Sequence, residues 1–223
     1  MIIKFLVLAS SYKHGGRCVA GIDLTNEKLI RLISRDESTN FAIPKEECFI
    51  NERPLAPLDI IEVDVEEKAP TLGAQNENYY VGLPLVKKFI GIGEEKDIKK
   101  YKFNSDKSPY PYDTKEGTLS RGAYFHKDYS LCLIRAYSLV FKSTTNAEGK
   151  SKTKVDFDVY KYNSEAVRLE DYSVTDPQYC IFDGQNRMNR QSLGKAWLLI
   201  SVAPDDDFGA YSKFVAGIID VSK

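Results

Sequence analysis

The chain predicts a mainly β protein built as small barrels or sandwiches. Three observations carry that expectation. Apolar side chains recur in short runs rich in Ile, Val and Leu, too short for globular helices. Clean period-two alternation at 59–65 and 155–162 marks strands with one wet face. Turn residues break these runs at short spacing, which suits barrels and sandwiches better than alternating βαβ units.

The first two apolar runs, 2–9 and 18–24, flank Lys-His-Gly-Gly-Arg and read as a β-hairpin buried for most of its length. Gly15 and Gly16 are expected to supply the positive φ angles of the turn. The turn gathers Lys13, His14 and Arg17 around backbone N–H groups. It is either a concave anion cradle or an ordinary turn with solvated charges. At the far end, 197–202 and 213–220 read as a second hairpin, and Val19-Ala20-Gly21-Ile22 recurs there as Val215-Ala216-Gly217-Ile218. The echo suggests one hairpin design used twice.

Between these ends, 29–33 reads as a third strand behind the turn Thr25-Asn26-Glu27, with Arg31 and Arg35 on one edge. A polar loop follows at 36–40. Pro44 opens a short helix, because proline fits the first helical position. Pro54 and Pro57 pin a loop over 51–57. In the strand at 59–65, Ile61, Val63 and Val65 alternate with Glu62 and Asp64, and Pro70 ends the extended segment. The stretch Gln75-Asn76-Glu77-Asn78-Tyr79-Tyr80 places amides beside tyrosines. Either these read base edges and stack bases, or they form a polar loop with half-buried rings.

Residues 84–128 are less regular. Short helices are expected at 85–92 and 98–103, interrupted by Gly91 and Gly93. Lys87, Lys88, Lys96, Lys99, Lys100, Lys102 and Lys107 interleave here with Tyr101, Phe103, Tyr110, Tyr112, Tyr124 and Phe125. Such a mixture offers charge for phosphates and rings for bases, and equally describes a solvated linker packed on a core. Arg121, His126 and Lys127 extend the basic surface. The β pattern resumes at 129, with a long strand or two bulged ones over 130–141, a polar turn at 144–153, and strands at 155–162 and 166–174. A polar connection at 184–192 carries Arg187 and Arg190 before the closing hairpin.

The 223 residues suffice for one large or two small domains. Net charge is −1, so bulk charge does not advertise a polyanion ligand, but the charge is unevenly spread. Residues 1–35 hold six basic side chains against two acidic, 36–83 three against eleven, and 84–154 fifteen against eight. No apolar run spans a bilayer, and the N-terminus reads as a first strand rather than a signal peptide, so no membrane association is expected. Cys18, Cys48, Cys132 and Cys180 lie far apart with no C-x-x-C pair. With only two histidines, neither a metal site nor a cofactor is expected, and the thiols read as reduced and buried in a cytoplasmic protein. No phosphate-loop, dinucleotide, nucleophile-elbow or zincin motif is present.

Five stretches together give the chain a family resemblance. They are the Lys13–Gly21 hairpin, Pro57-Leu58-Asp59-Ile60-Ile61-Glu62-Val63, Gln75-Asn76-Glu77-Asn78, Val174-Thr175-Asp176-Pro177 and the closing Lys213-Phe214-Val215-Ala216-Gly217-Ile218-Ile219. In them the chain resembles the bacterial dual OB-containing domain family, most strongly at both ends and least over 84–128. The resemblance implies two OB-like barrels, at 1–83 and 129–223, joined by a basic, partly helical connector at 84–128. It implies nucleic-acid binding in a bacterial or phage conflict setting and supplies no catalytic residue. An OB barrel binds oligonucleotides or oligosaccharides on its strand 2–3 face and neighbouring loops. The candidate nucleic-acid contacts are therefore Lys13, His14, Gly15, Gly16, Arg17, Arg31, Arg35, Gln75, Asn76, Asn78, Tyr79 and Arg121. The wet strand of the second barrel adds Tyr160, Lys161 and Tyr162.

Three functions compete. The leading expectation is a non-catalytic module binding single-stranded or structured DNA or RNA. The acidic 36–83 stretch opposes it unless turned away. The alternative is a protein-interaction or small-nucleotide-binding regulator without nucleic-acid binding. An enzyme comes third: His14 or His126 with Cys18 or a nearby Ser could form a nucleophile–base pair, but Cys18 lies on an apolar strand and reads as core.

Overall fold

The computed structural model of the chain describes residues 1–70, 75–99, 114–120, 129–145, 151–160, 165–180, 192–205 and 210–222. The chain divides into two compact units, Met1–Tyr101 and Lys102–Lys223. Each contains one six-stranded sheet. The expected mainly β architecture is thus present in both halves.

The first unit contains β1 (Ile2–Lys13), β2 (Gly16–Asp23), β3 (Lys28–Ile33), β4 (Phe49–Ile50), β5 (Arg53–Pro54), β6 (Asp59–Asp64), β7 (Asn78–Tyr80), β8 (Lys87–Ile92) and a single helical turn, α1 (Glu95–Lys99). The order in its sheet is β7-β3-β2-β1-β6-β8, and β4 with β5 forms a separate small hairpin. β3 runs parallel to β7, pairing Arg31 with Asn78. The chain beyond β6 then meets the other side of β7. Glu66 N–H donates to Tyr80 O, Tyr80 N–H to Glu67 O, and Ala69 N–H to Asn78 O. These bonds close a ring in which the first strand touches the second and fourth, and the third touches the fifth, a five-stranded Greek-key barrel.

The second unit repeats that plan. Its strands are β9 (Thr118–Ser120), β10 (Leu131–Thr145), β11 (Ser151–Tyr160), β12 (Ala166–Val174), β13 (Ser192–Asp205) and β14 (Ala210–Asp220). The order is β12-β11-β10-β13-β14-β9, and a parallel pairing of β12 with β14 closes the ring. The two OB-like barrels therefore share one topology.

Period-two alternation decides what each strand buries. In β6 the pattern puts Ile61 and Val63 into the first core, where they meet Ile3, Phe5, Val7, Val19, Ile30 and Leu32. In β11, Val155, Phe157 and Val159 face inward, and the Phe157 and Tyr172 rings meet edge to face at 5.0 Å. Lys213 is fully buried in this second unit. Its Nζ donates to Thr114 O at 2.9 Å and to Thr114 Oγ1 at 2.6 Å, which provides partners for a charge that burial alone would disfavour.

Four local readings are corrected. Residues 85–92 are not a helix: β8 pairs with β6 from Asp59↔Ile92 to Val63↔Lys87, and its exposure alternates residue by residue. The second expected helix is a short turn that begins earlier, at Glu95, and residues 100–103 lie outside the described residues. The loop at 51–57 is half hairpin, with Asn51 and Glu52 both left-handed between β4 and β5. The Val-Ala-Gly-Ile echo does not mark a repeated unit, because β2 is the second strand of its barrel and β14 the last of its own. What the two copies share is local. Gly21 pairs with Val7 and Gly217 with Leu199, and a register shift follows each pair.

Candidate functional site

The hairpin turn between β1 and β2 is one end of the site. His14 (φ 42°) and Gly15 (φ 82°) form its two left-handed positions. The positive φ angles thus fall on His14 and Gly15, not on Gly15 and Gly16 as the sequence suggested. Gly16 is needed for a different reason. A Cβ there would lie 2.5 Å from the Ile43 carbonyl oxygen, so only glycine lets 42–43 cross the turn. Arg17 and Ile43 exchange backbone hydrogen bonds at 2.7 and 2.9 Å at that crossing.

Side chains on the turn divide into two sets. Arg17 is buried, its guanidinium 4.0 Å from the centre of the Tyr12 ring across the hairpin. His14 is exposed, and the Asn40 amide donates to its Nε2 at 3.2 Å. Lys13 is half-buried on the same face of the sheet as Cys18. Its ammonium is held below the ordinary lysine range, chiefly by burial, with Arg31 adding to the effect and Cys18 opposing it.

Arg31 is 2% exposed and stands on β3. Its NH1 donates to Asn78 Oδ1 at 2.7 Å, and Asn78 Nδ2 donates to Gln75 Oε1 at 3.1 Å. A second bond, Arg31 N–H to Glu77 O at 2.8 Å, fixes the backbone alongside. The residues leading into the fifth strand are thus tied to the third. Gln75 and Asn76 stay half-exposed, while Glu77 and Asn78 are buried. Tyr79 packs against the first core.

Arg35 follows β3 and is exposed, but it is engaged. Its Nε meets Glu66 Oε2 at 3.0 Å and its NH2 meets Glu67 Oε1 at 2.7 Å, with the guanidinium over the Tyr80 ring at 4.2 Å. Glu67 and then Glu66 raise its already high pKa. Arg121 lies outside the described residues.

Of the sequence candidates, the structure therefore joins Arg31, Asn78 and Gln75 in one hydrogen-bonded chain, with Lys13 at the end of β1 and His14 and Gly15 at the tip of the turn. It places Arg17 inside the hairpin packing and Arg35 in a separate ion cluster. The cluster answers part of the −8 imbalance over 36–83, since Glu66 and Glu67 face an arginine rather than open solvent. Farther along, Lys96 and Lys99 pair with Glu94 and Glu95. The remaining basic and aromatic side chains between 100 and 113 and between 121 and 128 lie outside the described residues.

The matching face of the second barrel is not simply basic. Lys142 pairs with Asp156 at 2.5 Å, Arg168 with Asp158 at 3.1 Å, and Lys154 Nζ donates to Asp171 O at 3.0 Å. Burial pushes the Asp156 carboxyl up, but Lys142, the Asp171 N–H and Arg168 together hold it below the usual carboxylate range. Above this network Tyr160 is exposed and meets the Tyr137 ring edge to face at 4.8 Å. The Arg135 guanidinium lies 5.9 Å from the Tyr137 ring and 5.7 Å from Trp197. Sequence reasoning singled out Tyr160 and missed Tyr137 and Arg135, which sit inside a run read for its apolar residues as one long strand or two bulged ones. The available signal was the i, i+2 spacing of Arg135 and Tyr137, which puts both on one face. Lys161 and Tyr162 lie outside the described residues.

Among the described residues no three His, Cys, Asp or Glu side chains converge on a metal-sized site. All four cysteines are free, and burial pushes the Cys48 thiol up to about 12. No described helix is long and apolar enough to cross a membrane. A family model described as a dual OB-containing domain matches residues 3–218. No curated protein matches the chain.

Proposed function

The chain belongs to the dual OB-containing domain family, and from that premise we propose that it is a non-catalytic binding module for single-stranded or structured nucleic acid, in the bacterial or phage conflict setting the resemblance implies. The observation that carries the reading is the coincidence of two positions. OB barrels bind along strands 2 and 3 and the loops joining strands 1 to 2 and 4 to 5. In the first barrel those loops hold Lys13, His14 and Gly15 on one side and Gln75 and Asn76 on the other, and Arg31 with Asn78 ties the second loop to β3.

The two groups of residues then have different roles. Lys13, His14 and the turn backbone meet phosphate, and Gln75 and Asn76 meet sugar or base edges. Arg31 and Asn78 are positioning residues, and the field of Arg31 favours an anion beside Lys13. In the second barrel Tyr137 and Tyr160 offer ring faces to bases, with Arg135 beside them. Their cationic neighbours Lys142 and Arg168 are committed to carboxylates, so the first barrel dominates the electrostatic term.

The double variant Lys13→Ala/His14→Ala tests the assignment. Binding of a labelled oligonucleotide should weaken roughly 5- to 20-fold, and the slope of log K against log salt should fall by about 1. His14 is exposed and Lys13 half-buried, so thermal unfolding of the variant is recorded alongside to separate a lost contact from lost stability. Unchanged affinity and slope would remove this turn from the interface.

A further inference from the structure

The strand β8 lies at one end of the first unit's sheet. Among the described residues it pairs only with β6, so its outer edge presents backbone N–H and C=O groups to whatever lies alongside. Its side chains are unusual for an edge. Val86 just before it is 66% exposed, Ile90 40% and Ile92 70%. Lys87 and Lys88 charge the first half of this edge, the usual way such edges are blunted, but Ile90 and Ile92 leave its second half apolar, and an apolar edge is a template for pairing. Beside the strand a groove of about 440 Å³ opens between β8 and the β4–β5 hairpin. Phe49, Ile50, Leu85 and Phe89 form its apolar lining, and Lys87 and Lys88 its charged one.

The charge in the groove is one-sided. Neither Lys87 nor Lys88 has an ion-pair partner among the described residues, although Glu62 stands opposite Lys88 in the register. The nearby Glu47 carboxylate accepts from the Leu85 N–H at 2.8 Å. A third cation, Arg53, lies over the Phe89 ring at 5.5 Å while bonding Asp59.

We infer that β8 is a docking edge for an extended segment of a partner protein that carries apolar and acidic side chains. Such a segment would add a strand to the sheet, the mode in which main-chain bonds give affinity and alternate side chains give specificity. One set of its side chains would cover Ile90 and Ile92. The other set would enter the groove, where apolar groups meet Phe49 and Phe89, and a carboxylate from each set meets the lysine on its own face, Lys88 beside Ile90 and Lys87 beside Phe89. This surface is separate from the β1–β2 turn and does not depend on the nucleic-acid reading.

The test uses a short fluorescein-labelled peptide alternating Asp with Phe and Ile, titrated into the full chain. Two control peptides carry Lys in place of Asp, or N-methyl groups on alternate amides. Binding with a Kd of roughly 10 µM or tighter is expected for the acidic peptide. A loss of at least tenfold is expected for each control peptide and for the variant Lys87→Glu/Lys88→Glu. Phe49→Ala, which clips the part of the groove wall that β4 supplies, should weaken binding severalfold. The proposal is overturned if the acidic peptide does not bind, or binds equally well when N-methylated. It is also overturned if the double charge reversal abolishes binding of a labelled oligonucleotide while the peptide fails to bind, since the groove would then serve nucleic acid.

Discussion

Replacing Gly21 by Ala is expected to unfold the first barrel. A Cβ at this position would lie 2.1 Å from the Leu6 carbonyl oxygen, 2.9 Å from Phe5 Cζ and 3.0 Å from the Leu6 carbonyl carbon. Nothing there can give way cheaply. Leu6 O belongs to backbone paired on both sides, to Ile22 on β2 and to Ile60 on β6, and Phe5 is fully buried. Overpacking a core with flexible neighbours costs about 1–3 kcal/mol. Forcing two central strands apart belongs to the rarer class above ~4 kcal/mol, comparable to the whole stability of a small domain. Gly91→Ala is the matched control in the same unit. Its Cβ would meet nothing within 4 Å, so a change within about 0.5 kcal/mol is expected. The sole tryptophan, Trp197, reports only on the second unit. The readout is therefore hydrogen exchange of peptides from β1–β3, which should lose protection in Gly21→Ala and keep it in Gly91→Ala. Full protection in Gly21→Ala would contradict the packing described for this barrel.

Asp176→Ala should destabilise the second barrel most at acid pH. Asp176 is 2% exposed at the end of β12. One carboxylate oxygen accepts from Gln178 N–H at 2.9 Å and the other from Ile218 N–H at 2.8 Å, so the side chain clamps β12 to β14 where the ring closes. Removing it orphans two N–H groups, at a cost of about 2 kcal/mol each. Burial nevertheless pushes the carboxyl up to about 6, the two N–H bonds only partly opposing it. The folded state therefore binds this proton more tightly than the unfolded chain, whose carboxyl titrates near 3.8. The stability the residue contributes is fully present below pH 3.8 and is lost as pH rises through 6. The difference amounts to about 3 kcal/mol. Asp176→Ala should thus cost about 4 kcal/mol near pH 4 and roughly 1 kcal/mol at pH 7. Urea unfolding followed by Trp197 fluorescence, for both proteins across that range, checks it. A penalty that grows with pH would mean that the carboxylate is stabilised as an ion, and would refute the buried clamp.

The same residue shows what could be read from the chain alone. Val174-Thr175-Asp176-Pro177 could be picked out as a motif, and 166–174 was read with the bounds that β12 has, because apolar alternation and the following proline agree. The β1–β2 hairpin and β6 were legible for similar reasons. β8 was not. Two lysines, Gly91 and the exposed isoleucines hide its alternation, which becomes visible only once β6 supplies a partner. A bulge within 130–141 was one of the two readings the sequence allowed, and the fold places it at Ser138, where a left-handed residue shifts the β10–β11 register.

Site residues were legible by chemical type more than by role. Arg17, Arg31 and Arg35 look alike in a sequence. The fold buries the first beneath the crossing at Ile43, makes the second a hydrogen-bonded link to Asn78, and pairs the third with Glu66 and Glu67. Those differences arise from contacts between residues tens of positions apart, which no local pattern encodes.

The most direct measurement is fluorescence anisotropy of the nuclease-treated protein. Labelled single- and double-stranded DNA and RNA would be titrated at low and near-physiological salt. The binding-module account predicts micromolar or tighter affinity for at least one of the four, falling as salt rises because bound phosphates release counterions. No binding to any of them at low salt would contradict it.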